Sequence, residues 1–144
     1  MTRLDRTKRI DPAQADNYAE VGRRLLQAGR VMLEHGDPSH ATALAIISVH
    51  AAIAFADAAT IHVGGRKSAS GDHTASVRLL REIVGPRLPS AIETALRRVL
   101  SEKDRFEYQG YLATMREAAA LFARAEQVGA WSESVLTSTR RRLG

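Results

Sequence analysis

Residues 41–63 read ATALAIISVHAAIAFADAATIHV, a stretch so apolar that a helix built from it shows no polar side. A helix of that kind must be covered all round, by other parts of the chain or by lipid. The stretch is close to the length that spans a bilayer. It also carries Ser48, His50, Asp57, Thr60 and His62, groups that are expensive in hydrocarbon. Ala51, Ala52, Ala54, Ala58 and Ala59 give it a narrow profile against which neighbouring helices can approach closely. The expectation is the buried central helix of a bundle in a soluble, cytoplasmic protein, with no membrane as partner.

The flanking sequence supplies the covering helices. Asp11-Pro12 is a helix start with proline at the first helical position. Tyr18, Val21, Leu25, Ala28 and Met32 then recur at helical spacing until Gly36-Asp37-Pro38, and Ser39 is placed to cap the central helix, which stops at Gly64-Gly65. Residues 66–71 read as a mobile loop. Ser70 or Asp72 can cap a short helix carrying Val77, Leu80 and Ile83. Ser90-Ala91-Ile92-Glu93 and Thr114-Met115-Arg116-Glu117 are capping boxes that open two further helices. Gly129 is expected to bend the chain into a last helix holding Trp131, Val135 and Leu136.

No segment alternates with period two over a useful length. The fold class expected is all-α, an up-and-down bundle of five to six helices. Residues 1–10 are expected as a basic, flexible N-terminus and 11–144 as one helical domain, a size sufficient for a core of its own.

With no cysteine, disulfides, thiolate metal sites and cysteine nucleophiles are excluded. A net charge of +5 permits an acidic partner such as RNA, although part of the excess sits in the runs 3–9 and 140–142, which read as solvated tails. The five histidines, His35, His40, His50, His62 and His73, form neither His-x3-His nor Glu-x-x-His, so neither a metal nor another cofactor is expected. Gly64-Gly65-Arg66-Lys67-Ser68 has the composition of a phosphate loop but lacks its preceding strand and Walker spacing. His50 and Asp57, seven residues apart, share a face of the central helix and are read as a buried structural polar pair. Lys103 is the expected partner for the Asp57 charge.

The densest chemistry lies at Lys103-Asp104-Arg105-Phe106-Glu107-Tyr108-Gln109-Gly110-Tyr111. Lys103 falls where the apolar stripe Leu96, Val99, Leu100, Phe106 would continue, and Gly110 stops the helix. Arg105 and Tyr108 are one helical turn apart and can face one surface.

Taken in order, several pieces resemble the HEPN superfamily of small helical domains. They are the Ala-rich run 49–58, the Gly-Arg-Lys-Ser loop, Asp72-His73 at a helix start with Leu79-Leu80, the helix ending Lys-Asp-Arg-Phe-Glu-Tyr-Gln-Gly, and Ala123-Arg124-Ala125-Glu126. The resemblance implies a homodimer that acts on or binds RNA or a nucleotide, in a toxin–antitoxin or stress system with a cognate antitoxin or nucleotidyltransferase as partner. Active members of that family are metal-independent ribonucleases with an arginine followed four to six residues later by a histidine. No histidine follows Arg105 in this chain, and tyrosine, with a pKa near 10, is a poor base at neutral pH.

The leading expectation is therefore a catalytically degenerate binding module, with Lys103 and Arg105 on phosphate and Tyr108 and Tyr111 positioning or stacking. The alternatives are a divergent ribonuclease using Arg105, Tyr108 and His73, and a dimerisation or scaffold domain without a ligand.

Overall fold

The structure, a computed structural model, describes residues 6–70 and 72–143, with the side chains of His73, Glu107 and residues 139–143 outside the description. The described residues form an all-α bundle with one small two-stranded ribbon: β1 (Thr7–Arg9), α1 (Ala15–His35), α2 (Ala41–Gly64), β2 (Arg66–Ser68), α3 (His73–Val84), α4 (Ser90–Ser101), α5 (Lys103–Glu107) and α6 (Met115–Leu143).

α2 is the centre. It is long and apolar enough to cross a membrane, yet 78% of its most apolar window is buried within the bundle. Leu44, Ala45, Val49, Ala52, Phe55, Ala58, Ala59 and Ile61 are all enclosed. α1 and α6 cover it along most of its length. α6 runs in the same direction as α2: the Ala113 N–H donates to Thr42 Oγ1 (2.9 Å) at one end, and Ser132 Oγ donates to the Phe55 carbonyl (2.8 Å) further along. The excursion through α3 and α4 carries the chain back to make that parallel pairing.

Phe55 shows how tightly these helices meet. Its ring lies between Gly22 of α1 and Gly129 of α6, where an added Cβ would stand 2.7 and 2.8 Å from ring carbons. Gly129 therefore does not bend the chain. α6 runs straight through it, because the missing side chain is needed for packing and a helix tolerates one glycine at about 1 kcal/mol.

The termini of the elements follow local chemistry, with exceptions. Asp11 caps a 3-10 turn at Pro12–Gln14 that leads into α1. Asp37, not Ser39, caps the turn before α2, accepting from the Ser39 N–H and hydroxyl. Asp72 caps α3. The Thr114–Glu117 box forms in both directions, at 3.0 and 3.1 Å. The Ser90–Glu93 box does not: α4 has no side-chain cap, because Glu93 turns to Arg81 and Arg97. α4 also stops at Ser101, where Glu102 N bonds back to Val99 O and tightens the last turn. The polar stretch is thus a separate short helix, α5.

Two expectations about irregular segments are corrected. Residues 7–9, assigned to a flexible N-terminus, pair antiparallel with residues 66–68, assigned to a mobile loop, in the register Thr7–Ser68, Lys8–Lys67, Arg9–Arg66. Flanking bonds Ile10 N to Gly65 O and Ala69 N to Arg6 O extend the ribbon. Gly65 makes the return possible by taking a left-handed φ of 64° at the end of α2. Three-residue strands are too short to show a period, and their pairing is a backbone event. Residues 1–5, the remainder of the flexible N-terminus expected, lie outside the described residues. Residues 140–142, expected as a solvated tail, continue the backbone of α6.

Candidate functional site

Residues 103–111 form α5 and part of its connection to α6, and two cavities take side chains from α5: Arg105 and Phe106 line one, Lys103 the other. Phe106 anchors α5 to the core, and its ring packs against Tyr111 at 5.7 Å between centroids.

The first cavity is an arginine groove of about 320 Å³ between α4, α5 and α6. Arg98, Arg105, Arg116 and Arg124 line it, with Glu102 and Glu117, over a floor that includes Phe106, Ala120 and Leu121. Arg105 is held from three sides. Its guanidinium stacks on the Tyr111 ring at 3.7 Å from the centroid, pairs with Glu102 at 3.1 Å and approaches Glu117 at 3.4 Å. Tyr111 also donates its hydroxyl to Glu117 at 3.0 Å. The Thr114 N–H above all, with the Tyr111 and Thr114 hydroxyls and Arg105, holds the Glu117 carboxyl below the usual carboxylate range. Arg98 and Arg116 form no ion pair among the described residues and are exposed.

Arg105 is turned onto Tyr111, while Tyr108, at the end of α5, is 73% exposed. Tyr111 is a support for Arg105 before it is a stacking platform. Arg116 and Arg124 stand in the sequence as part of a capping box and of an Ala-rich run, yet Arg116, Ala120 and Arg124 at four-residue intervals mark one helical face.

The second cavity is smaller, about 120 Å³, and is lined by Ile53, Asp57, Lys67, Ser68, Ser70, Ser76, Leu100 and Lys103. Asp57 is buried at 9% exposure and pairs with Lys67 at 3.5 Å. Burial pushes its carboxyl up to about 6, against the pull of the Lys67 ammonium. The expected partner, Lys103, lines the same cavity, but the ion pair goes to Lys67. That choice depends on the β1–β2 ribbon: side chains alternate along β2, so Arg66 turns outward toward Glu82 while Lys67 turns onto Asp57. Lys67 also lies over the Tyr18 ring of α1, 5.3 Å from its centroid.

His50 is exposed rather than buried, so it is no core partner of Asp57. The seven-residue spacing does set both on one side of α2, about 20° apart, but that side is covered at Asp57 and open at His50. His73 opens α3 beside the second cavity's Ser76; its side chain is among those not described. No group of three or more side chains suited to a metal ion occurs among the described residues. No protein-family model, curated protein or solved structure matches the chain.

Proposed function

We propose that this chain is an RNA-binding module that grips the phosphate backbone in the groove between α4, α5 and α6 without cleaving it. The convergence of Arg98, Arg105, Arg116 and Arg124 on one groove carries the reading. Planar guanidinium groups present paired N–H donors that match phosphate oxygens. Arginines outnumber carboxylates in the lining four to two, which leaves a net cationic channel. Tyr108 offers an exposed ring next to it for a base to stack on. The resemblance to HEPN proteins names RNA as the polymer.

Binding is favoured over cleavage by what surrounds the groove. General acid–base catalysis needs a free group within hydrogen-bond reach of the reacting oxygen. Glu102 is engaged by Arg105, and Glu117 by Arg105, Tyr111 and the cap of α6.

The test is fluorescence anisotropy with a short labelled single-stranded RNA across a salt series. The logarithm of affinity is expected to fall linearly with the logarithm of salt concentration. Replacing Arg98 and Arg116 together by Gln should flatten that slope by about 1.4, roughly 0.7 for each phosphate no longer neutralised. The RNA should be recovered intact. Absence of binding at low salt would sink the proposal.

A further inference from the structure

The cavity around Asp57 has a composition that packing alone does not account for. One buried carboxylate faces two ammonium groups, Lys67 from β2 and Lys103 from α5, across a space several times larger than one water needs. The lining carries two ammonium groups to one carboxylate and so is one negative charge short of balance. The hydroxyls are also arranged as donors. Ser68 Oγ accepts from the Ser70 N–H (3.4 Å) and Ser70 Oγ accepts from the Asp72 N–H (3.1 Å), so each keeps its own O–H to give. Ser76 adds a third hydroxyl from the first turns of α3.

We infer that this cavity binds a protonated phosphoryl oxyanion, held by Lys67, Lys103 and the serine hydroxyls and read by Asp57. The carboxylate is the discriminating element. It repels a fully ionised oxyanion such as sulfate, but accepts a hydrogen bond from phosphate, or from a phosphomonoester, that still carries a proton. A phosphomonoester keeps that proton up to about pH 6, where Asp57 is itself about half ionised, so the discrimination sharpens as Asp57 ionises above that pH. The same chemistry can come as free inorganic phosphate or as the terminal phosphate of a nucleotide or RNA end. The inference is independent of the arginine groove, whose lining shares no residue with this cavity.

Calorimetric titration of the full chain in a phosphate-free buffer tests it, with inorganic phosphate, sulfate and adenosine 5′-monophosphate as separate ligands at matched ionic strength. Phosphate or the monophosphate should bind and sulfate should not. Whichever of the two binds more tightly identifies the source. Asp57→Asn should bring sulfate and phosphate to comparable affinity. Lys103→Met should weaken phosphate binding about tenfold or more, the effect of removing one charge-assisted hydrogen bond, with the helical circular dichroism unchanged. Where Lys67→Met does not fold, Lys103→Met and Ser76→Ala carry the result. Equal binding of sulfate and phosphate by the unaltered protein, failure of both phosphoryl ligands to bind, or a Lys103→Met titration matching the parent would each overturn the inference.

Discussion

Asp57 places a carboxyl group on a helix whose neighbours are nearly all alanine, and its titration should be visible in the stability of the whole protein. An exposed aspartate titrates at 3.8, and burial lifts Asp57 to about 6, so the folded state holds this proton more firmly than the unfolded chain. The contribution to stability is complete below the unfolded value and is lost as pH rises through about 6. A shift of that size amounts to about 3 kcal/mol. In Asp57→Asn the loss is absent. Urea unfolding from pH 4 to pH 7 should find the variant gaining on the parent by about 2–3 kcal/mol across the range; a constant difference would show that Asp57 is ionised throughout. At the same scale, Arg105 was legible in the sequence as a residue of interest. Its restraint by Tyr111, Glu102 and Glu117 was not, because those side chains arrive from beyond the helix that carries it.

The helices themselves meet at a few narrow points, and Phe55 is the most demanding of them. Gly22 and Gly129 each leave room for its ring and for nothing larger. Gly129→Ala should destabilise by about 1–3 kcal/mol through overpacking, despite the better helix propensity of alanine. Phe55→Leu in that background should recover part of the loss, a non-additivity that a double-mutant cycle in thermal or urea unfolding can measure. Additive losses would mean that the ring and the new methyl group do not compete. The sequence announced each of these helices through periodicity and caps, and Thr114–Glu117 formed as its spacing required. It misjudged Gly129 and Glu93 for a common reason. A glycine or a glutamate has a local meaning, a bend or a cap, until a tertiary neighbour claims it, as Phe55 claims the space at Gly129 and Arg81 claims Glu93.

Among the described residues, four arginines line the α4–α5–α6 groove and Lys8, Arg9, Arg66 and Lys67 lie on the β1–β2 ribbon, while the connection between α5 and α6 exposes Tyr108 and, at 78%, Leu112. Leu112 is the apolar side chain there that the RNA reading does not use, and we propose that a homodimer forms around it, leaving the Tyr108 ring open. Light scattering should give twice the chain mass of 15.7 kDa, reduced to a monomer by Leu112→Lys with no change in the unfolding midpoint at high dilution. A monomer at millimolar concentration would count against the interface.

What the sequence determined by itself was the helical character of the bundle and the burial of residues 41–63. A stretch with no polar face has one way to avoid water in a chain of this composition, and propensity, spacing and capping all act within a few residues. The partner of Asp57, the pairing of residues 7–9 with 66–68 and the gathering of four arginines were decided only in three dimensions. Each joins groups distant in sequence, and chain geometry rather than local preference settles which cation reaches a buried carboxylate. Lys67 reaches it because a three-residue ribbon turns it inward. Lys103, which the helical pattern had set opposite Asp57, stands beside the same cavity with its charge available for an anion.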